Sequence, residues 1–323
     1  MNTLPTTEER LWAVLSHLSA IAFGMGILLP IIGWSEQRRK SKYASFQCLQ
    51  ALGYQSLGYT VWVLFSAFVM IVFVIIMMVA IDTGEKSGGN TNSLLRIWMT
   101  VFEAIIFGSF AFYFLPPLIA AISCALGKDF RYPILGNRLT KYLGYQQTDN
   151  VSTLLIQEHE EHWIVAMVHF SILIIFWGML APLTTWVLHS KRSSFLRFQS
   201  IQTLIYQAGV TILYLGTIFL YFMSIMIVLL LVMTGWTGNV RIDSPMGLVG
   251  IIFLGISLLV LFIIILFVPL LHILGQWAGY RVLKGDNYHY PLIGTLIERW
   301  ITNKTPVAGD GDLRLQVPEG KPS

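Results

Sequence analysis

The chain has 323 residues, of which 55% are hydrophobic and only 12% are charged, and its mean hydropathy is +0.67. A soluble domain typically carries about 25% charged residues, so this composition predicts a polytopic membrane protein. The net charge of +4 suits contact with anionic lipid headgroups. No basic run interleaved with aromatic residues suggests nucleic-acid binding, and the two cysteines lack the spacing of a disulfide framework.

The first half of the chain predicts three apolar helices followed by one amphipathic helix. Apolar runs occupy about 11–34, 44–81 and 97–126, and each exceeds the roughly 20 residues that cross a bilayer. The second run, at about 38 residues, is too long for one simple crossing of a 30 Å core. Pro116 and Pro117 predict a kink or break in the third run. Residues 133–143 mix apolar and basic side chains and predict an interfacial helix.

The same plan returns in the second half. With a shift of 152 residues, His17, Pro30 and Trp34 fall on His169, Pro182 and Trp186, and about fifteen of forty-eight positions match without a gap. We therefore predict an all-α fold of about six transmembrane helices in two homologous three-helix repeats, 8–143 and 158–301. The predicted helices of the second repeat are 162–188, 195–233, 247–283 and an interfacial 291–301. Residues 144–157 are the predicted linker, and 302–323 are a predicted disordered tail.

A polar stripe opens the second helix of each half. Gln47, Gln50 and Tyr54 fall at positions i, i+3 and i+7 and share one helix face. Polar groups at membrane depth suggest a proton relay or a ligand contact, while the alternative is a set of hydrogen bonds between helices. The candidates for helix packing or pore lining are His17, Gln47, Gln50, Tyr54, Gln55, His169, Gln199, Gln202, Tyr206 and Gln207.

Basic islands precede these stripes, and a Tyr-Pro pair follows each third run. These segments are candidates for contact with anionic lipid or a partner, and they are equally typical of topology anchors and interfacial belts. The candidate residues for lipid or partner contact are Arg38, Arg39, Lys40, Lys42, Lys191, Arg192, Arg197, Tyr132, Pro133, Tyr290 and Pro291.

Sequence motifs give no sign of catalysis. The segment Glu158–His162 carries two His three residues apart, whereas a metalloprotease helix needs them four apart. We interpret its glutamates as complementing the helix N-terminus, in an N-terminal capping role. There is no nucleophile motif and no phosphate-cradling glycine loop. The sequence therefore predicts no catalytic residue, no metal site and no cofactor, and a protein that is not an enzyme.

The number of crossings decides how the two repeats are related. Three crossings per repeat is an odd number, so the second repeat would enter the membrane upside down, as in many transporters. Under that arrangement the Lys and Arg counts on the two faces are nearly equal, so the positive-inside rule does not fix the orientation. If the repeats instead have the same orientation, one run per repeat is re-entrant, and the long second run is the candidate.

Several short motifs together resemble one bacterial family. They are Leu15-Ser16-His17-Leu18-Ser19, the following Pro30, the stripe from Phe46 to Gln55, and Tyr132-Pro133. In this order they resemble the three-helix family of unknown function that includes the magnetosome membrane proteins MamF and MmsF. That family is also described as similar to Tic-type translocon channel proteins. The resemblance covers almost the whole chain, twice, and implies a membrane location and fold without a settled activity. The family's usual His after the Phe and Asn before the aromatic residue are replaced here by Gln47 and Gly53.

Two functional hypotheses follow. The first is a structural or assembly protein, or an accessory subunit of a membrane complex, in the bacterial inner membrane. Its partners would be membrane lipids and either a membrane protein or a second copy of the chain. The second hypothesis is a transporter or translocation pore built on an inverted repeat. A pore would turn the polar stripes toward a common cavity between the halves, whereas a scaffold would bury them within each half.

Overall fold

All regular structure in the described residues is helical. The computed structural model describes residues 4–87, 91–145, 155–174, 176–236 and 245–304, so most of the predicted linker and tail lies outside the described residues. Five stretches are long and apolar enough to cross a membrane, namely Thr7–Gln37, Lys42–Ile81, Leu95–Ala125, Ser194–Leu230 and Gly247–Leu283. The prediction of an all-α membrane protein is therefore confirmed, whereas the prediction of six crossings is not.

The two halves are built from matching helices. The first half contains α1 (Thr7–Leu18), α2 (Leu28–Gln37), α3 (Lys42–Gly53), α4 (Tyr59–Ser87), α5 (Thr91–Ala125) and α6 (Leu135–Leu143). The 3₁₀ segment Ser19–Ile27 joins α1 to α2, and the π-helical turn Tyr54–Gly58 joins α3 to α4. The second half contains α7 (Gln157–Phe170), α8 (Leu180–His189), α9 (Ser194–Trp236), α10 (Pro245–Leu283) and α11 (Ile293–Lys304).

The first apolar run folds back on itself. The backbone of Phe23 leaves the helical region, with φ of 53° and ψ of −133°. The two ends of the run lie together, because the side-chain amide of Gln37 donates a 2.9 Å hydrogen bond to Glu8 near the start of α1. The predicted run 11–34 is therefore a helical hairpin and not one straight helix. Arms of 12 and 10 residues rise only about 15–18 Å each, too little for a 30 Å core.

The second half contains the same kind of re-entrant hairpin. Ser193, which follows α8, donates a 2.7 Å hydrogen bond to Glu161 near the start of α7. The predicted run 162–188 is therefore also two helices, Gln157–Phe170 and Leu180–His189, and not one straight helix. The predicted re-entrant candidate, the long second run, is wrong, since α9 continues unbroken for 43 residues. We call α1–α2 and α7–α8 the re-entrant hairpins.

Each half therefore starts and finishes at one end of the molecule. Arg10 in α1 donates to the carbonyl of Ala125 at the end of α5, and Tyr43 in α3 donates to the carbonyl of Lys128. With two long antiparallel helices per half, the chain makes an even number of crossings before the second half begins. This path favours the same orientation for the two repeats, which is the second of the two arrangements that the sequence left open.

The long helices α4 and α5 form an apolar hairpin above this end. Exposed apolar side chains run along α4 from Val61 to Ile81, a length of about 30 Å that matches the hydrocarbon core of a bilayer. The predicted break at Pro116 and Pro117 is absent, because α5 continues through both residues.

Candidate functional site

A buried polar cluster ties the first re-entrant hairpin to α3 and to the segment after α5. His17 Nε2 lies 3.0 Å from the side-chain oxygen of Gln47, and His17 Nδ1 lies 3.1 Å from the hydroxyl of Tyr132. The Gln47 amide nitrogen donates to Asp129 and to the carbonyl of Phe130, each at 3.0 Å. This fixes the Gln47 oxygen as the acceptor, so His17 donates from Nε2 and accepts from Tyr132 at Nδ1.

Gln50 completes this cluster. Its amide nitrogen donates to the carbonyl of Phe130 at 3.0 Å, and its oxygen accepts the backbone N–H of Tyr132 at 3.1 Å. Burial raises the pKa of Tyr132 well above its ordinary value, so this hydroxyl keeps the proton that it donates to His17. We call His17, Gln47, Gln50, Asp129 and Tyr132 the first polar cluster.

Tyr54 and Gln55 extend the contacts away from this cluster. Tyr54 stacks on Tyr132 with ring centroids 4.4 Å apart and donates a 2.8 Å hydrogen bond to the carbonyl of Tyr113. Pro117 has no N–H to bond that carbonyl, so the Tyr54 hydroxyl replaces the missing helical bond. Gln55 donates to the carbonyl of Ser16 and the hydroxyl of Ser19, which fixes the turn of the hairpin.

The second half repeats these contacts almost bond for bond. His169 Nε2 lies 3.1 Å from the oxygen of Gln199, and His169 Nδ1 lies 2.9 Å from the hydroxyl of Tyr290. Gln199 donates to Asn287 at 2.7 Å, and the oxygen of Gln202 accepts the backbone N–H of Tyr290 at 3.2 Å. We call His169, Gln199, Gln202, Asn287 and Tyr290 the second polar cluster.

The flanking contacts also recur. Tyr206 stacks on Tyr290 with centroids 4.1 Å apart, and its hydroxyl donates to the carbonyl of Leu271. Gln207 donates to the carbonyl of Val168 and the hydroxyl of Ser171. All ten residues predicted for helix packing or pore lining therefore make their hydrogen bonds within their own half.

Two members of the clusters were missed by the sequence reasoning. Asp129 and Asn287 each accept a hydrogen bond from the first glutamine of the stripe. Each stands three residues before a Tyr-Pro pair, and this recurrent spacing was the signal that could have identified them.

The contact between the halves uses the acidic segment at the start of α7. Glu160 is only 3% exposed, and its carboxylate accepts hydrogen bonds from the Trp34 indole at 3.2 Å and the Ser45 hydroxyl at 3.0 Å. Glu161 pairs with Arg38 at 3.3 Å. Glu158 and Glu160 do lie in the first turn of α7, where a carboxylate complements the helix N-terminus, although no side chain caps the helix. The carboxylates of Glu160 and Glu161 in addition bind the first half.

Burial changes the pKa of the Glu160 carboxyl more strongly than its hydrogen-bond donors do. Removal from water raises the pKa of this carboxyl above its ordinary value of 4.5, although Arg38, Trp34 and Ser45 pull it down. A further hydrogen bond holds the halves together, since the Trp163 indole donates to the carbonyl of Leu49 at 3.0 Å.

The residues predicted to contact lipid or a partner fall into two groups. Tyr132 and Tyr290 are 3% and 1% exposed, and Arg38 is paired with Glu161, so these three side chains have their contacts within the chain. The remaining candidates are exposed or partly exposed, and they are Arg39, Lys40, Lys42, Pro133, Lys191, Arg192, Arg197 and Pro291. Their contact with lipid or a partner stays a prediction.

An apolar groove of about 710 Å³ lies between α4 and α5. Its lining includes Trp62, Phe65, Phe112 and Tyr113, and Tyr54 is the one member of the predicted polar set that borders it. Among the described residues, no group of three or more His, Cys, Asp or Glu side chains is arranged to hold a metal ion.

Comparison with known families agrees with the duplication. The model of the MamF/MmsF family, described as a magnetosome magnetite crystal formation protein family, matches residues 8–139 and again 160–297. No curated protein and no solved structure matches the chain.

Proposed function

This chain belongs, through two tandem copies, to the MamF/MmsF family, and we propose that it is a structural or assembly protein of a bacterial inner membrane. In this role it acts as an accessory subunit and not as an enzyme. The family's description names magnetite crystal formation in magnetosomes. Organising a membrane assembly is the part of such a role that the contacts of this chain support.

One observation carries the proposal. The histidine and the glutamines of each polar cluster form their hydrogen bonds with residues of the same half, as in the pairs His17–Gln47 and His169–Gln199. A transport pathway needs polar groups that face a shared hydrated space and exchange partners. Groups that are already bonded within one half instead favour a fixed framework. The path of the chain, which favours the same orientation for both repeats, also gives no support to the alternative of a transporter built on an inverted repeat.

Charge supports an orientation for this framework. Of the 21 Lys and Arg residues, only Lys86, Arg96 and Arg241 lie in the sequence around the α4–α5 and α9–α10 connections. Positive residues concentrate in cytoplasmic loops. We infer that the end bearing α1, α6, α7 and the basic islands faces the cytoplasm.

Reconstituted vesicles test the proposal. The purified chain would be placed in vesicles of bacterial lipid loaded with a pH-sensitive dye, and proton and potassium fluxes would be compared with empty vesicles. We expect no added flux, and gramicidin added at the end serves as the positive control. A saturable flux that disappears in His17→Ala and His169→Ala would overturn the structural role in favour of transport.

A further inference from the structure

The contact between the two halves is not two-fold symmetric. It joins what we call the Trp34 face, made of Trp34, Arg38, Ser45, Leu49 and Gly53, to the Glu160 face, made of Glu160, Glu161 and Trp163. A two-fold contact would also join the equivalent residues in reverse. Instead, the equivalent of Glu160 is Glu8, which accepts from Gln37 of its own half.

Because the halves are homologous, each of these faces exists a second time. A shift of 152 residues turns the Trp34 face into the Trp186 face, made of Trp186, Ser190, Arg197, Ile201 and Ile205. The same shift turns the Glu160 face into the Glu8 face, made of Glu8, Glu9 and Leu11. Helix α8 packs on α2, with the rings of His189 and Trp34 4.8 Å apart. Among the described residues, however, the hydrogen bonds and the ion pair between the halves involve neither the Trp186 face nor the Glu8 face.

These two faces also offer one ion pair, at a different place from the one in the contact already formed. The internal contact pairs Arg38 with Glu161 at 3.3 Å, and the equivalent places hold Ser190 and Glu9. In that contact the Ser45 hydroxyl meets the Glu160 carboxylate at 3.0 Å. At the equivalent places stand Arg197 and Glu8, which have opposite charges. Glu8 is exposed and Arg197 partly exposed, and within the described residues no carboxylate pairs with Arg197. A second copy would therefore place an ion pair where the internal contact has a hydrogen bond.

The apolar part is complementary in size. In the internal contact the large Trp163 ring covers a glycine, and a Cβ on Gly53 would lie 2.5 Å from that ring. At the equivalent places Leu11 is 55% exposed and Ile205 is 47% exposed. A large residue against glycine is thus exchanged for two residues of medium size, which keeps the filled volume similar.

We propose that a second copy of the chain docks its Glu8 face on the Trp186 face of the first. This head-to-tail contact deepens the assembly role proposed above and rests on it. Because such a contact is heterologous, each docked copy leaves another pair of faces open. The product is a ring where the rotation per chain closes, and otherwise a growing array in the plane of the membrane.

Mixed cross-linking tests this contact. Cys48 and Cys124 would be replaced by Ala, and chains carrying either Leu11→Cys or Ile205→Cys would receive different tags and be co-expressed. A short bismaleimide should cross-link the two chains when mixed and neither chain with itself. A matched pair, Phe112→Cys and Ile212→Cys, carries exposed cysteines elsewhere on the two halves and should show only background cross-linking.

A second experiment exchanges the charges of Arg197 and Glu8 in the same cross-linking assay. Arg197→Glu beside Ile205→Cys should lower the cross-linked yield at least tenfold, and Glu8→Arg in the Leu11→Cys partner should restore it. Self-cross-linking of the Leu11→Cys chain, or a yield equal to that of the control pair, would overturn the head-to-tail contact. A chain that stays monomeric in nanodiscs and still adds no flux to vesicles would remove this inference while leaving the structural role standing.

Discussion

Glu160 and Trp34 are 126 residues apart in sequence, yet the indole of Trp34 donates a 3.2 Å hydrogen bond to the Glu160 carboxylate across the contact between the two halves. The same carboxylate accepts from Ser45 and is almost completely buried. The equivalent residue of the first half, Glu8, is exposed and bonds only within its half. Two copies of one position have thus acquired different partners.

Removal of this carboxylate should loosen the halves. In Glu160→Ala the buried Trp34 N–H and Ser45 hydroxyl lose their acceptor, which we expect to cost about 1–3 kcal/mol of unfolding free energy. Denaturant titration in detergent micelles, followed by Trp fluorescence, measures the loss. Glu8→Ala is the matched control and should cost less than about 1 kcal/mol. Equal losses in the two variants would contradict the assignment of Glu160 to the contact between the halves.

The raised pKa of Glu160 predicts how stability changes with pH. The folded state holds this proton more tightly than the unfolded state, whose pKa is near 4.5. Between 4.5 and the raised folded pKa, the folded state therefore binds more protons, so the contribution of Glu160 to stability falls as pH rises. In Glu160→Gln, which resembles the protonated form, this fall should disappear. Unfolding free energies from pH 4 to 7 check it, and identical slopes in the two proteins would refute it.

Energetic coupling should respect the boundary between the halves. His17 and Gln47 share a hydrogen bond, so a double-mutant cycle with His17→Ala and Gln47→Ala should give a coupling of about 0.5–3 kcal/mol. The cycle that pairs His17→Ala with Gln199→Ala joins residues of different clusters and should give a coupling within about 0.5 kcal/mol of zero. A large coupling across the halves would favour a shared polar pathway over two separate frameworks.

The turn of the first re-entrant hairpin should tolerate no side chain at Gly26. A Cβ at that position would lie 1.9 Å from the carbonyl oxygen of Ser19, so Gly26→Ala should destabilise the protein by several kcal/mol or prevent folding. Gly108 has no atom within 4 Å of a Cβ position, and Gly108→Ala should be neutral or stabilise α5 by up to about 1 kcal/mol. Thermal unfolding of both variants in micelles measures these effects. A Gly26→Ala variant as stable as the unchanged protein would contradict the fold-back.

The repeated spacing of polar residues made the clusters partly predictable. His17, Gln47 and Tyr132 recur as His169, Gln199 and Tyr290, and a repeated polar set at membrane depth points to contacts between helices. The fold-back was not predictable, because the run around Phe23 has the length and hydropathy of a simple crossing. Its reversal depends on the left-handed backbone of Phe23 and on the packing of Gly26, and neither leaves a distinct apolar pattern.

The partners of Glu160 and Glu161 could not be predicted from the sequence, for a different reason. Two acidic residues at the start of a helix satisfy a local rule, so they suggested a role at the helix N-terminus. Their partners in the first half, Trp34, Ser45 and Arg38, are more than 100 residues away in the chain. Only the three-dimensional arrangement of the repeats shows these distant contacts.

The most direct test of this account is the sidedness of the two halves. Single cysteines would be placed in a Cys-free chain at Lys40 and Lys191, which lie at one end of the molecule, and at Gly89 and Gly238, in the sequence between the long helices. A membrane-impermeant maleimide is then applied to intact cells and to inverted membrane vesicles. We expect Lys40→Cys and Lys191→Cys to react only in inverted vesicles, and Gly89→Cys and Gly238→Cys only in intact cells. Labelling of Lys40→Cys and Lys191→Cys on opposite faces would contradict parallel repeats with re-entrant hairpins.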